Sequence, residues 1–222
     1  MKTPSSLTGE IRQFLELLLL SEIALYVNPV VVRPLGKGIT RITWCSTSGI
    51  GLLFRRKFAT IDDYCGWLEA NAFSAILYDG SIIQISYDFL GTDIIGHRLA
   101  YYPCPFELDR ELILTEPILD VVSLYRGKDD ALINLRTPIR FDYDPHAGRE
   151  GHPITHLTIL TSACRWAVAA PLSLGHFCRF IFRHFYPHLW DVHDFLRQWP
   201  QHLGVRTITE LDEGTLHVAC MR

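Results

Sequence analysis

The feature that most constrains the fold of this chain is a run of alternating residues at positions 73–103, FSAILYDGSIIQISYDFLGTDIIGHRLAYYP. Two turn sequences, Asp79-Gly80 and Gly91-Thr92-Asp93, divide the run into three stretches. An Asp-Gly pair between alternating stretches is the strongest short-range signal of a β-hairpin. The middle stretch would place apolar side chains on one face and polar ones on the other: Ile83, Ile85, Tyr87 and Phe89 against Gln84, Ser86 and Asp88. The run therefore predicts an antiparallel sheet with one core face and one face in water.

Helical patterns flank this predicted sheet. Near the N-terminus, apolar residues recur every three or four positions, which predicts a long helix that begins at the N-cap residue Thr8 and continues to Leu25. Residues 173–200 predict a second helical segment, which breaks at Pro187 because proline cannot continue a helix. Two shorter helices are predicted at residues 60–71, with Thr60 as N-cap, and at residues 116–127.

The remaining segments predict further β-hairpins. These lie at residues 28–46, at residues 138–160 and at residues 206–221, where the last hairpin would turn at residues 212–214. No internal repeat and no long linker interrupts the chain. We therefore expect a single α+β domain over residues 1–222, with an antiparallel sheet built of β-hairpins packed against a long N-terminal helix and a C-terminal helical segment.

The composition bounds the kind of partner. The net charge is −3 and the pI is about 6.3, so the chain as a whole lacks the positive charge of a general nucleic-acid binder. A local basic patch is still compatible with these values. The hydrophobic fraction is 48%, which indicates that much of the chain is buried or covered by a partner. We therefore expect a protein partner or a homo-oligomer.

The cysteines and the apolar segments indicate the compartment. Six cysteines occur without paired spacing, which predicts free thiols and no disulfide in a reducing environment. The apolar run at residues 14–27 is interrupted by Glu16 and Glu22 and is shorter than the ~20 residues that a membrane span needs. Its flanks do not resemble a secretion signal. The sequence thus predicts a cytoplasmic protein without a membrane segment.

The hairpin at residues 138–160 gathers polar side chains around one short loop. In its first strand Arg140, Asp142 and Asp144 alternate with apolar residues, and the return strand carries His152 and His156. If the strands pair as an ordinary hairpin, Arg140 and Asp142 come near His156, because facing Cβ atoms lie about 4.5–5.5 Å apart. We therefore expect these three side chains on one face of the sheet, with Asp144 and His152 beside the loop.

Three interpretations of this polar cluster remain open. Arg140, Asp142, His152 and His156 have the composition of a catalytic acid/base site, in which the arginine would stabilise a developing anion such as a phosphate. Asp142, Asp144, His152 and His156 could instead bind a divalent metal ion as cofactor, since histidine and carboxylate ligate zinc, manganese and iron. The third interpretation is a structural Arg–Asp ion pair with two surface histidines.

One basic segment is a candidate contact for nucleic acid. Arg55, Arg56 and Lys57 lie between Phe54 and Phe58, and a basic run with neighbouring aromatic rings suits a phosphate backbone and its bases. The usual nucleotide, dinucleotide, zinc-peptidase and hydrolase motifs are missing from the sequence.

Several blocks together resemble a bacterial family that is defined only as a domain of unknown function. They are LLFRRKFATIDDYCGWL, DGSIIQISYDF, HRLAYYPCPF, IRFDYDP, HPITHLTI and CRWAVAAPLSLGHFCRFIFRHFYP. The resemblance covers nearly the whole chain. It implies an association with variable genomic islands and phage defence, and it supplies no activity and no catalytic residue.

About half of the chain is also similar to small toxins of bacterial toxin–antitoxin pairs. Those toxins run from a DG hairpin to a strand with arginine, an aromatic residue and aspartate, and then to a strand with histidine. The matching positions here are Arg140, Phe141, Asp142 and His156. In the toxins the histidines lie closer together than His152 and His156 do.

Two functions from different classes follow. The first is a component of a bacterial defence or toxin-like system that acts on nucleic acid through the Arg140, Asp142 and His156 face. The alternative is a non-catalytic interaction or regulatory subunit of a larger effector, such as a nuclease or an ATPase. The polar hairpin favours the first function, while the high apolar content and the near-neutral charge favour the second.

Overall fold

The computed structural model describes most of the chain. The described residues are 2–44, 60–128, 133, 136–149, 151–159, 161, 163–202 and 204–219. The helices are α1 (Pro4–Leu20), α2 (Ile61–Glu69), α3 (Arg110–Thr115), α4 (Ile118–Arg126), α5 (Leu174–Phe185), α6 (Pro187–Val192), α7 (Asp194–Gln198) and α8 (Glu210–Glu213). The strands are β1 (Ala24–Val27), β2 (Val30–Gly36), β3 (Ile39–Trp44), β4 (Ala75–Leu77), β5 (Ile82–Leu90), β6 (Asp93–Tyr102), β7 (Ile139–Tyr143), β8 (Thr155–Ile159), β9 (Arg165–Val168) and β10 (His217–Val218).

The ten strands of the described residues form one mixed, mostly antiparallel sheet. Its main order is β1-β4-β5-β6-β7-β8-β9-β10. Strand β5 is the branching point: its first residues pair with β4, and its second half pairs with β3, which in turn pairs with β2. The predicted α+β class and the hairpin-built sheet are confirmed. One α+β domain results, with helices on both faces of the sheet.

The larger core lies on the face that the alternation assigns to apolar residues. Tyr87 and Phe89 from β5 are buried there together with Phe141 from β7. Helices α1 and α5 cover this face, and the ring of Phe141 contacts that of Phe177 edge to face at 6.3 Å. The apolar stripes of the two predicted long helices therefore have the expected role of closing the core.

A smaller core covers one end of the opposite face. There α2 and α4 pack on the sheet, with Trp67 against Tyr102 at a ring distance of 3.9 Å. This face was expected to be in water, but Gln84 and Ser86 are both buried, and the Gln84 side chain donates to the Ala72 carbonyl at 2.5 Å. The expectation was wrong at this end because alternation reports two faces and does not tell what packs on the second. The uncovered end of the same face holds the polar site.

The N-terminal helix begins earlier and ends earlier than expected. Thr3 is its N-cap and forms a capping box with Ser6, and Pro4 occupies the first helical position. Thr8 lies inside the helix, where its hydroxyl donates to the Pro4 carbonyl at 2.8 Å. Glu22 adopts a positive φ of 55° just after the helix, so Leu25 belongs to β1 and not to α1.

The predicted hairpin at residues 206–221 was wrong. Thr209 and Asp212 form a capping box that starts the short helix α8 where the turn was expected. Strand β10 then pairs with β9 in parallel, and the other neighbouring strand pairs of the sheet are antiparallel. Asp212 and Gly214, which were expected in a turn, lie at the N-terminal capping box and at the C-cap of α8. Residues of these types can satisfy free backbone groups at a helix end as well as in a turn.

No helix in the described part of the chain is long and apolar enough to span a membrane. The described cysteines, Cys65, Cys104, Cys164 and Cys178, carry free thiols, and Cys45 and Cys220 lie outside the described residues. Burial raises the pKa of the Cys104 thiol to about 11, so this group is a buried neutral thiol and not a nucleophile.

Candidate functional site

The polar residues of the hairpin meet those of neighbouring strands in one row across the sheet. Strand β7 pairs with β8 so that Asp142 lies opposite His156, and with β6 so that Asp142 also lies opposite Arg98. Arg140 projects from the same face as Asp142, because side chains two positions apart on a strand point the same way. Arg140, Asp142 and His156 thus share one face, as their alternation predicts.

Asp142 is held between two arginines. Its Oδ1 accepts a hydrogen bond from Arg98 Nε at 3.0 Å, and its Oδ2 accepts one from Arg140 Nε at 2.5 Å. Burial alone would raise the pKa of Asp142, but the charges of Arg140 and Arg98 outweigh it and lower the pKa to about 2. At neutral pH Asp142 is therefore an ionised carboxylate whose two oxygens are both engaged.

His156 is buried beside this carboxylate, and its side chain is only 3% exposed. Its Nδ1 lies 2.8 Å from the Pro153 carbonyl, which accepts only from a protonated nitrogen, and its Nε2 lies 3.6 Å from Asp142 Oδ2. Burial lowers the pKa of His156 to about 4, although Asp142 opposes the shift. At neutral pH the ring is neutral and presents the lone pair of Nε2 to the carboxylate.

The other two hairpin residues lie at the rim. The ring centres of His152 and His156 are 4.7 Å apart, and partial burial lowers the pKa of His152. Asp144 caps the loop, where its carboxylate accepts from the backbone N–H of His146 at 2.9 Å. Asp144 and His152 therefore flank the loop, as their positions predict.

The four candidate metal ligands do not form a binding site. Among the described residues, which include Asp142, Asp144, His152 and His156, no three His, Cys, Asp or Glu side chains are placed to hold one ion. The cause is local, because Asp142 is engaged by two arginines and Asp144 by the loop backbone. The residues thus do not fit a divalent cation, and the metal hypothesis is not supported.

These residues line a cleft of about 560 Å³, which we call the arginine cleft. Its charged and histidine side chains are Arg41, Arg98, Arg140 and Arg165, Asp88, Asp142 and Asp144, and His146, His152 and His156. Four arginines thus face three aspartates. At one end Arg41 forms a two-point ion pair with Asp88, with N–O distances of 2.6 and 2.7 Å.

Arg165 is the arginine whose cationic group is least satisfied in this cleft. Its Nε is buried and has no hydrogen-bond partner among the described residues. Burial lowers the pKa of Arg165, and the nearby charge of Arg140 lowers it further. A buried guanidinium nitrogen without a partner is costly, so this position favours an anion from outside the chain.

Three arginines of the cleft, Arg41, Arg98 and Arg165, were not among the residues predicted for this site. Arg98 alternates with buried Leu99 on β6, so its side of the sheet could be predicted, but its pairing with Asp142 depends on the register between β6 and β7. Its neighbour His97 points to the opposite face, where Nε2 accepts from the Leu172 N–H at 3.0 Å.

The basic run Arg55, Arg56 and Lys57 lies outside the described residues. Its proposed contact with nucleic acid therefore stays a prediction. The catalytic roles of Arg140, Asp142, His152 and His156 also stay predictions.

The comparisons with known proteins give a family and no function. No curated protein and no solved structure matches the chain. A family model described as an uncharacterized conserved protein, DUF2290, matches residues 23–220, a range that includes the whole arginine cleft. A family of unknown function over nearly the whole length is what the sequence blocks implied. The chain belongs to the DUF2290 family.

Proposed function

We propose that this protein binds nucleic acid through the arginine cleft, with a backbone phosphate next to Arg165. The observation that carries the proposal is the buried Nε of Arg165, which has no hydrogen-bond partner among the described residues. Arginine is the preferred residue for phosphate because its planar fork offers several donors in one plane. Arg140 and Arg98 lie on the same face and add positive charge around this position.

The ion pairs inside the cleft fix the arginines in place. Asp142 holds Arg98 and Arg140, and Asp88 holds Arg41, so these side chains lose little further entropy when a ligand arrives. A phosphate group near Arg165 and Arg140 would bring a negative charge towards His156. That charge would raise the pKa of His156 from about 4, because a neighbouring anion favours the protonated ring.

A catalytic role of the cleft is the second part of the proposal. His156 with a raised pKa would be able to exchange a proton with a bound phosphodiester through Nε2, while the Pro153 carbonyl holds Nδ1 in place. His152 at the rim is the more accessible of the two histidines and would contact the ligand first. Binding and catalysis are separable, because the arginines alone account for binding.

The test is the binding of fluorescein-labelled single-stranded DNA and RNA, measured by fluorescence anisotropy. Arg165→Gln should weaken binding by about tenfold, which corresponds to one charge-assisted contact of about 1.4 kcal/mol. Arg126→Gln is the matched control, since Arg126 is an exposed arginine of α4 outside the cleft. Equal affinities of the wild type and the Arg165 variant would contradict the proposal.

A second candidate function rests on exposed apolar residues. Leu114 on α3 and Leu119 and Leu124 on α4 have exposed fractions of 65%, 37% and 50%. Exposed leucines on neighbouring helices favour a protein contact, as in an interaction or regulatory subunit of a larger nuclease or ATPase, or in a homo-oligomer. Multi-angle light scattering of the wild type and of Leu114→Ser/Leu124→Ser tests self-association. If both proteins are monomers, the homo-oligomer hypothesis is excluded.

The biological setting is also part of the proposal. The resemblance supports a bacterial defence or toxin-like system that acts in the cytoplasm. Expression of the chain in a bacterial host, followed by phage challenge and growth assays, tests this setting. Protection or growth arrest that depends on Arg165 would link the setting to the cleft. The absence of both protection and growth arrest would contradict the proposed setting.

A further inference from the structure

A second concave site lies on the opposite face of the sheet from the arginine cleft. It is a groove of about 210 Å³ between helix α5 and the strands β7, β9 and β10. We call it the α5 groove. Its apolar lining consists of Phe141, Val168, Leu172, Phe180, Val218 and Ala219, and its polar lining of His176, Arg179, Arg183, His184 and Gln201.

The floor of the α5 groove is apolar and preformed. Phe141, Val168 and Leu172 are buried in the larger core. Half-buried Phe180 closes one side and meets the Phe141 ring edge to face at 5.3 Å. Because these side chains are held by the core, the floor needs no rearrangement to accept an apolar group.

The rim of the α5 groove is cationic. His176, Arg179, Arg183 and His184 are spaced so that they lie along one side of α5, as the three- and four-residue intervals of a helix require. No Asp or Glu lines the groove within the described part of the chain, and neither arginine forms an ion pair with a described carboxylate. Arg179 instead lies over the ring of Trp190, with its guanidinium carbon 5.7 Å from the ring centre.

We propose that the α5 groove binds a small organic anion with an apolar body, namely a medium-chain or aromatic carboxylate. The apolar body lies on Val168, Leu172 and Phe180, and the carboxylate lies at Arg179 and Arg183. Charge complementarity decides the sign of the ligand, since the lining offers two arginines and no acidic residue. The volume of the groove limits the ligand to a small molecule, because it is below the roughly 300–1,000 Å³ of pockets that bind drug-sized ligands.

Octanoate is the probe, and 1-octanol is its neutral counterpart. Isothermal titration calorimetry on the full chain should show octanoate binding and at least tenfold weaker binding of 1-octanol, because the alcohol cannot pair with the guanidinium groups. The double variant Arg179→Gln/Arg183→Gln should lose about 10- to 100-fold in octanoate affinity while its binding of 1-octanol stays the same. The control variant Lys37→Gln/Lys128→Gln removes two cations outside the groove and should bind octanoate like the wild type.

The proposal is overturned by no binding of octanoate at millimolar concentration, by equal binding of octanoate and 1-octanol, or by unchanged octanoate binding of the Arg179→Gln/Arg183→Gln variant. Thermal unfolding of each variant checks that the fold is kept. The site is independent of the arginine cleft, so Arg165→Gln should bind octanoate normally. Loss of octanoate binding in Arg165→Gln would place the anion in the arginine cleft and also refute the α5 groove as its site.

Discussion

The Nε2 atom of His156 lies 3.6 Å from the Oδ2 atom of Asp142, with the ring neutral and the carboxylate ionised. Because Nδ1 donates to the Pro153 carbonyl, Nε2 can only accept, and it faces another acceptor. One proton could bind between these two acceptors, but burial disfavours the charged ring and keeps Nε2 unprotonated. A ligand that changes the charge around His156 would shift this balance.

Stability should fall as the pH drops from about 6.5 to 4. Burial lowers the pKa values of His156 and His97 to about 4, below the usual 6.5 of the unfolded chain. The unfolded state then binds more protons than the folded state in this range, so the free energy of unfolding rises with pH. The contribution of the two neutral histidines is complete above about pH 6.5. Urea denaturation at pH 7.5, 5.5 and 4.5 measures the effect. The variant His97→Gln/His156→Gln should show a flatter profile, and a profile as steep as the wild type would contradict the assignment.

Asp142 contributes to stability over a lower range of pH. Its folded pKa of about 2 lies below its ordinary value of 3.8, so its contribution is complete above about pH 4 and is lost as the pH falls towards 2. At neutral pH Asp142→Asn should lower the free energy of unfolding by about 3 kcal/mol, because it leaves Arg98 and Arg140 without their shared carboxylate. Asp144→Asn is the control and should cost about 1 kcal/mol or less, since it alters only a loop cap.

Replacement of His156 separates a structural from a catalytic role. His156→Ala should lower the free energy of unfolding by about 1–3 kcal/mol, because it leaves the partly buried Pro153 carbonyl without its donor. His156→Gln keeps an amide donor for this carbonyl and should therefore have a higher free energy of unfolding than His156→Ala. If His156 transfers protons, both variants lose about 10²–10⁴-fold in nucleic-acid cleavage or toxicity. Full activity in the well-folded Gln variant would exclude a proton-transfer role.

The salt dependence of binding reports the number of phosphates in contact. For single-stranded nucleic acid the slope of log K against log salt concentration is about −0.7 per neutralised phosphate. Arg165→Gln should reduce the slope by about that amount if this residue contacts one phosphate. Anisotropy titrations from about 50 to 200 mM salt measure the slope, with Arg126→Gln as the control. An identical slope in the Arg165 variant would mean that its guanidinium does not touch the backbone.

Much of the sheet could be predicted because its signals are local. The Asp79-Gly80 turn and the alternation from Ile83 to Phe89 fix strands and faces without reference to the rest of the chain. The polar hairpin was predictable for the same reason, since Asp142 and His156 belong to one hairpin whose loop fixes their register. Local sequence was sufficient for these two hairpins, in which a short turn joins the paired strands.

The parts that were missed depend on distant contacts or on capping. Gln84 is buried through residues outside β5, such as Ala72, whose carbonyl accepts from its side chain, and the alternation within β5 does not report such a contact. Arg98 enters the cleft from β6, and two helices separate β6 from β7 in the sequence, so no local pattern states that these strands pair. Arg165 lies on β9 directly after β8, and it was missed because no strand was predicted at residues 165–168. Thr209 was missed for another reason, because the same residues suit a turn and a helix cap. Periodicity therefore predicts elements and faces better than it predicts neighbours.

The last prediction compares two glycines, Gly175 on α5, which borders the α5 groove, and Gly9 on α1. At Gly175 a Cβ atom would lie 2.1 Å from the Pro200 carbonyl oxygen, which is backbone and cannot move alone. Gly175→Ala should therefore push α5 away from the segment at Pro200 and lower the free energy of unfolding by about 3 kcal/mol or more. Gly9 lies within α1 with open space around its Cβ position, so Gly9→Ala is the matched control and should stabilise by about 0.5–1 kcal/mol. Urea denaturation of both variants gives the two changes. Equal effects of the same sign would show that α5 and Pro200 are not in close contact.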